Sequence, residues 1–135
     1  MTMPTACPFC ALPAARIVHA NALAVVVRDA FPVSPGHTLV LPRRHVQSFF
    51  DLEPAEHRAL FDLLGLARRT LEQDVQPAGY NIGINDGTAA GQTVAHLHVH
   101  LIPRFPGDRS DPRGGVRWVL PQRADYWSIG DGESR

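Results

Sequence analysis

The sequence predicts an α+β domain with a mostly antiparallel sheet of about five strands and one long helix. Short alternating apolar and polar segments stand on both sides of a single helical stretch, and short connections between the first strands favour antiparallel pairing. The 135 residues contain no internal repeat or low-complexity tract. We therefore predict one domain over residues 1–135, with a core over about 7–120 and a loop-rich C-terminal tail.

Three strands are predicted before the helix. Residues 17–18 and 23–28 alternate as two strands joined by a short connection. Residues 30–36 contain prolines and a glycine, which predict a loop. Residues 37–41 form the third strand, which Pro42 is expected to end.

One helix is predicted from Pro54 to the Pro-Ala-Gly sequence at residues 77–79. Proline suits the first position of a helix, and the second proline with its glycine stops it. Apolar residues recur on one helical face at Leu60, Leu64, Ala67 and Leu71. After the helix, residues 80–85 and 94–103 are predicted strands that flank a loop of small residues.

Composition excludes several classes of protein. Thirteen acidic residues balance thirteen basic ones, so we expect neither a nucleic acid nor a membrane as partner. All the basic residues are arginine, which excludes Schiff-base and pyridoxal-phosphate chemistry and a phosphate loop built on lysine. No secretory leader is expected, and the longest strongly apolar stretch, residues 23–27, is too short to cross a bilayer.

Cys7 and Cys10 are the only cysteines, which argues against a disulfide framework and favours a reducing cytoplasm. Such a pair is a redox dithiol, half of a zinc site or a chance pairing. A redox pair usually begins a helix after a strand, whereas here Pro8 lies within the pair and no strand precedes it. The zinc interpretation is favoured, and the other two stay open.

Three histidines alternate along the last predicted strand, at His96, His98 and His100. A period of two would place the three imidazoles on one face and Leu97 and Val99 on the buried face. A solvated polar face is the alternative. One metal ion cannot bind all three, because His96 and His100 would be about 13–14 Å apart along a strand, whereas Zn–N bonds are about 2.0–2.1 Å long.

A neutral imidazole in this segment suits nucleophilic attack on phosphorus. Its unperturbed pKa of about 6.5 leaves one ring nitrogen with a free lone pair near neutral pH. Attack gives a phosphoramidate that water can hydrolyse, and the developing charge needs hydrogen-bond donors. Gly91, Gln92 and Thr93 offer main-chain N–H groups, an amide and a hydroxyl just before the histidines.

Together these residues resemble the signature of the histidine triad (HIT) family. The likeness is carried by residues 85–87, Gly91, Gln92, Thr93, Val94, His96, His98 and His100, and upstream by Asp29 and residues 35–37 and 42–45. It covers roughly residues 7–120. The resemblance implies a HIT-like fold and a nucleotide hydrolase or transferase, similar to the bacterial Hint-like and Fhit-like members.

The resemblance also implies a role for each matching residue. His98 would be the nucleophile, with its ring N–H held by a main-chain carbonyl, and His100 would contact a non-bridging phosphate oxygen; His96 and Gln92 complete the catalytic set. The implied substrate contacts are Asp29, His37, Asn85, Gly91, Gln92, Thr93 and His100. Asp29 would bind the ribose hydroxyls. A turn aspartate and a structural His37 stay open as alternatives.

Some bacterial HIT proteins are similar to this chain in an N-terminal Cys-x-x-Cys pair that binds zinc with two histidines. The matching positions are Cys7, Cys10, His45 and His96. Four such ligands make a closed, structural site. Two unliganded thiols are the alternative, and no organic cofactor is implied.

Several residues receive no single assignment. They are Arg104, Arg109, Arg113, Arg117, Trp118, His19 and His57. The arginines suit either a polyphosphate leaving group or solvated pairing with nearby aspartates. Trp118 is compatible with packing near the substrate or at a subunit interface. His19 and His57 are expected at the surface.

The activity implied by the resemblance is cleavage at the α-phosphate through a nucleotidyl-histidine intermediate. The substrates would be dinucleoside polyphosphates, such as diadenosine tetraphosphate, or nucleoside phosphoramidates, and the sequence does not choose between them. A purine nucleotide or dinucleoside polyphosphate and a second copy of the chain, in a homodimer, are the implied partners. A nucleotide-binding or scaffold protein with little turnover and a metal-dependent hydrolase are the alternatives.

Overall fold

The computed structural model describes residues 7–128. It divides the chain into two compact units, with the boundary between Arg104 and Phe105. The single domain over residues 1–135 stays a prediction, and its residues 1–6 and 129–135 lie outside the described part. Within that part, no helix is long and apolar enough to cross a membrane.

The first unit consists of five strands and one long helix. In chain order they are β1 (Ile17–Ala20), β2 (Ala24–Arg28), β3 (Thr38–Pro42), α1 (Pro54–Asp74), β4 (Gly79–Ile84) and β5 (Val99–Arg104), with short 3₁₀ helices at Ala14–Arg16, Phe49–Asp51 and Thr88–Ala90. The strands form a sheet in the order β1-β2-β3-β5-β4, in which every neighbouring pair is antiparallel. The predicted fold class is confirmed.

The last strand is shorter than the sequence predicts. Residues 94–103 are expected to be a strand, but β5 begins at Val99, so His96 and His98 precede it. The strand begins late because of a competing long-range bond: the Leu97 N–H donates to the carbonyl of Val46 at 2.7 Å, which ties this segment to the chain after β3. The predicted alternation still holds in the packing, since Leu97, Val99 and Leu101 all lie in the cluster that contains the buried residues of α1.

Helix α1 begins and packs as its sequence predicts. Pro54 occupies the first turn, and Glu53 and Glu56 form a capping box in which each side chain accepts from the other's main-chain N–H. The buried apolar residues of the helix are Ala59, Leu60, Leu63, Ala67 and Leu71. Leu63 thus replaces the predicted Leu64, which is only partly buried.

The sheet buries apolar side chains on both faces. Helix α1 packs with alternate strand residues, including Val99 and Leu101 of β5, in one cluster. A second cluster contains Leu39, Val25, Val27 and Leu41. Because strand side chains alternate, His100 lies on the face away from α1, next to its register partner Leu39.

An ion pair between the half-exposed Arg44 and the buried Glu56 connects the chain after β3 to the start of α1. The Arg44 guanidinium donates to both carboxylate oxygens of Glu56, at 2.7 and 3.1 Å, and to the carbonyl of Asp51 at 3.1 Å. Its hydrogen bonds hold the pKa of Glu56 below the ordinary value. This pairing fixes the backbone immediately before His45.

The second unit carries most of the arginines that the sequence leaves unassigned. It contains a 3₁₀ helix at Gly115–Val119 and a short helix α2 at Pro121–Ala124, so the tail is less irregular than predicted. The guanidinium of Arg109 lies over Trp118 at 4.7 Å, that of Arg113 over Trp127 at 4.8 Å, and that of Arg117 over Tyr126 at 4.8 Å. Each of these arginines therefore has a partner within its own unit.

Candidate active site and metal centre

Four potential metal ligands from three separate segments meet in the first unit. The ligand atoms of Cys7, Cys10, His45 and His96 all lie within 4.8 Å of one another. His96 Nδ1 is 3.6 Å from each thiol sulfur and 3.3 Å from His45 Nδ1, which is 3.0 Å from Cys10 Sγ. A tetrahedral ion with Zn–S bonds of about 2.3 Å and Zn–N bonds of about 2.0–2.1 Å has S–N edges of about 3.6 Å and N–N edges of about 3.3 Å. The three distances from His96 match these edges.

The orientation of His96 also suits a metal ligand. Its Nε2–H donates to the carbonyl of Pro42 at 2.8 Å, which leaves the Nδ1 lone pair facing the thiols. The ring is fully buried, and burial lowers its pKa below the ordinary value, so the imidazole is neutral as a ligand must be. The donor set therefore fits a bound cation.

A second cluster, formed by Asp29, His37 and His100, is organised as a hydrogen-bond chain. The Val33 N–H donates to His37 Nδ1 at 3.1 Å, so the proton of His37 is on Nε2. His37 Nε2–H then donates to His100 Nδ1 at 2.9 Å, and Asp29 Oδ2 is 3.5 Å from the same Nε2. His100 therefore carries its own proton on Nε2.

His37 and His100, the two histidines of this hydrogen-bond chain, are neutral near pH 7. Burial lowers the pKa of His100 to about 4, and the nearby His98 and His37 add to this shift while Asp29 opposes it. Burial likewise lowers the pKa of His37. Hydrogen bonds therefore fix which nitrogen of each ring carries the proton, and neither imidazole is positively charged near pH 7.

His98 has the opposite tautomer. Its Nδ1–H donates to the main-chain carbonyl of His96 at 2.9 Å, so Nε2 carries the lone pair. The centroid of its ring lies 4.9 Å from that of His100. His98 Nε2 therefore offers a lone pair, and Nε2 of the adjacent His100 offers an N–H.

A cavity of about 280 Å³ opens beside these two rings. It brings together five of the predicted site residues: Asp29, Asn85, Thr93, His98 and His100. It is also lined by residues that the sequence did not single out, among them Phe9, Arg16, Phe31 and Leu39. The position of Phe9 between the two cysteines was a usable signal. No local pattern brings Leu39 of β3 or Arg16, which ends the 3₁₀ helix before β1, to this cavity.

Gln92 is used within its own loop. Its Oε1 accepts from the Gly87 N–H at 2.8 Å, and its Nε2 donates to the carbonyls of Gln47 and Val94 at 3.0 and 3.1 Å. Gly91 ends the preceding 3₁₀ helix with a φ of 94°. A direct phosphate contact by either residue stays a prediction.

The remaining unassigned residues of the first unit make local contacts. His19 Nε2 lies 2.7 Å from Thr70 Oγ1. His57 Nε2 lies 3.1 Å from the carbonyl of Phe49, and the ring centroids of these two residues are 4.6 Å apart with the planes inclined at 51°. Arg104 donates to Asn81 Oδ1 at 2.6 Å. These contacts support packing, and none of the three side chains lines the cavity.

Fold and site together define a class of protein: an antiparallel α+β domain in which alternating histidines meet a cavity on the sheet face opposite the helix. Residues 13–107 match the HIT domain, and the chain belongs to the HIT family. The crystal structure of a Zn-bound histidine triad family protein from Mycobacterium smegmatis is similar, with a TM-score of 0.69 and 35% identity over 78% of this chain and 80% of that one.

Two curated relatives carry enzyme names. The chain is 38% identical over 96 residues to the asymmetrical bis(5'-nucleosyl)-tetraphosphatase of Schizosaccharomyces pombe, covering 71% of this chain and 53% of that protein. It is 38% identical over 109 residues to the AP-4-A phosphorylase of Mycobacterium tuberculosis, covering 78% and 55%. The chain thus spans about half the length of these relatives.

Proposed function

We propose that this protein cleaves dinucleoside polyphosphates at the α-phosphorus through a nucleotidyl intermediate on His98, with nucleoside phosphoramidates as the second substrate class. The observation that carries the proposal is the tautomer of His98. Its Nδ1–H is bound to the His96 carbonyl at 2.9 Å, which leaves Nε2 as the nucleophile beside the cavity. The names of the two relatives favour the polyphosphate class.

In the first step, His98 Nε2 attacks the α-phosphorus and forms a P–N bond while the bond to the leaving phosphate oxygen breaks. Negative charge develops on the non-bridging oxygens. His100 Nε2–H is the donor placed to bind one of them, and its orientation is fixed by the 2.9 Å hydrogen bond from His37. In the second step, water attacks the same phosphorus, the P–N bond breaks, and His98 regains its lone pair.

The remaining predicted residues bind the nucleotide. Asp29 would accept from the ribose hydroxyls through Oδ2, because its Oδ1 already accepts from the Phe31 N–H at 2.8 Å. Asn85 and Thr93 line the cavity and would contact the phosphates. Gln92 and Gly91 would act mainly by holding the loop that carries Thr93.

We also propose that Cys7, Cys10, His45 and His96 hold a structural zinc ion. When bound, the ion would supply a fixed crosslink between the N-terminal segment, the chain after β3 and the chain before β5. A reducing cytoplasm would keep both thiols available. The three matching distances from His96 Nδ1 and the zinc-bound relative support this site.

A homodimer is the proposed assembly. Strand β4 is an edge strand of the sheet, and its Ile82 side chain is half exposed. Unpaired edges of this kind associate readily unless they are protected. Sedimentation that shows only monomer at micromolar concentration would contradict the dimer.

The activity is tested with diadenosine tetraphosphate and adenosine phosphoramidate, each with and without inorganic phosphate. Attack by water converts the tetraphosphate to AMP and ATP, whereas attack by phosphate gives ADP and ATP. An acid-labile adenylyl adduct on the intact protein, absent in His98→Asn, is expected with either acceptor.

A protein that binds AMP but turns over neither substrate would instead be a nucleotide-binding protein. Activity that vanishes with a strong chelator while the zinc content stays at one ion per chain would indicate a metal-dependent hydrolase.

A further inference from the structure

Phe9 belongs to two sites at once. In sequence it lies between the ligands Cys7 and Cys10, and its ring centroid is 5.0 Å from that of His98 and 5.9 Å from that of His96. Both Phe9 and the preceding Pro8 line the 280 Å³ cavity. One short loop therefore supplies two potential metal ligands and part of the wall that faces the nucleophile.

His96 connects the same two sites through different atoms. Its Nδ1 faces the thiols, while its main-chain carbonyl accepts the hydrogen bond from His98 Nδ1–H at 2.9 Å. Its Nε2–H is held by the carbonyl of Pro42. Any displacement of His96 would therefore move the acceptor that fixes the tautomer of His98.

The wall provided by Phe9 rests on the sheet. Phe9 packs against the cluster that contains Leu39, and Leu39 also lines the cavity. The backbone on either side of Phe9 carries Cys7 and Cys10, so holding the two sulfurs also holds the aromatic ring in place. Release of the two sulfurs from a metal ion would leave apolar packing as the main restraint on the Phe9 ring.

We propose that occupancy of the metal cluster and binding of nucleotide in the cavity are energetically coupled, with Phe9 and the His96 carbonyl as the positioning groups. The coupling rests on the proposed function, because it requires the cavity beside His98 to bind a nucleotide. Coupling between two ligands is reciprocal, so zinc strengthens nucleotide binding by the same factor as nucleotide strengthens zinc binding.

The first test measures AMP affinity by calorimetry on the full chain, loaded with zinc or stripped by a chelator. Binding about tenfold weaker in the stripped chain is expected, within the usual range of coupling. Competition with a chromophoric chelator should give zinc binding tighter by the same factor at saturating AMP. Equal AMP affinities would overturn the coupling and leave the proposed function standing. Absence of AMP binding to the loaded chain would overturn both.

The second test changes the side chain that links the two sites. Phe9→Ala keeps all four ligands, so stoichiometric zinc is expected, but the effect of AMP on zinc affinity should fall below about twofold. Phe9→Tyr should restore it, and Phe50→Ala, at a side chain that is 82% exposed, should leave it unchanged. Coupling that survives undiminished in Phe9→Ala would overturn the assignment of Phe9.

Discussion

This protein contains two compact clusters in which histidines meet acidic or thiol groups. The distances between their side chains alone do not show which cluster suits a metal ion. The possible ligand atoms lie within 4.8 Å of one another in the first cluster, Cys7, Cys10, His45 and His96, and also in the second, Asp29, His37 and His100. The difference lies in where the protons are. In the first cluster, the Nδ1 lone pair of His96 faces the sulfurs because Nε2–H is bound elsewhere.

In the second cluster, the Nδ1 lone pairs of both histidines already accept hydrogen bonds from the protein. His37 Nδ1 accepts from the Val33 N–H, and His100 Nδ1 accepts from His37 Nε2–H. The Asp29 carboxylate is the remaining acceptor, and one carboxylate makes a poor metal site. Hydrogen-bond directions therefore separate a cluster that offers lone pairs to a cation from one whose remaining N–H group suits an anion.

The largest expected effect is that of His98→Asn. Asparagine fits the space and can still donate to the His96 carbonyl, but it has no nucleophilic ring nitrogen, so turnover of diadenosine tetraphosphate should fall by at least about a thousandfold. AMP affinity should change little, because the other cavity residues remain. Retained turnover would show that the nucleophile lies elsewhere. Steady-state kinetics and AMP titration make the distinction.

Cys10→Ser tests the first cluster. Serine is a poor zinc ligand, so the zinc content should fall below one ion per chain. Free metal at a thousand times its Kd stabilises a folded protein by about 4 kcal/mol, and most of that contribution should be lost. Asp29→Asn is the matched change in the second cluster and should leave both the zinc content and the response to zinc intact. Elemental analysis and urea unfolding with and without zinc measure both variants.

His37→Leu tests the hydrogen-bond chain of the second cluster. Removal of the donor leaves the orientation of His100 unfixed, and the loss of one buried hydrogen bond of about 1–3 kcal/mol should lower kcat by roughly ten- to a hundredfold. His37→Gln retains a donor at a similar position and should recover much of the rate. If both variants were equally impaired, His37 would act through packing alone. The zinc content should be unchanged in both.

The smallest expected effect is a pH dependence of stability. The pKa of His100 is about 4 in the folded protein, well below its ordinary value of 6.5, and that of His37 is lowered in the same direction. The unfolded chain therefore binds more protons between these values, so the free energy of unfolding should fall as the pH drops from about 6.5 towards 4. Urea midpoints at pH 7.5 and 5 should differ less in His100→Gln than in the wild type.

Local sequence patterns were sufficient for the secondary structure elements. Strand alternation and helical period depend on neighbours within a few residues, and they predicted the sheet strands and helix α1 with ends shifted by only a few residues. The exception was β5, where the long-range bond from Leu97 to Val46 delayed the strand. No local pattern contains that bond, because its partners are far apart in the sequence.

The sequence by itself determined the α+β class, the family and the chemical types of the site residues, since these follow from local periodicity and from motifs such as His-x-His-x-His. Only the tertiary structure decided which ring nitrogen of His96 and of His100 carries the proton. That choice depends on partners from other segments, namely the Pro42 carbonyl for His96 and His37 for His100. It likewise placed Phe9 against His98, because strand register and loop packing, rather than sequence spacing, bring those rings together.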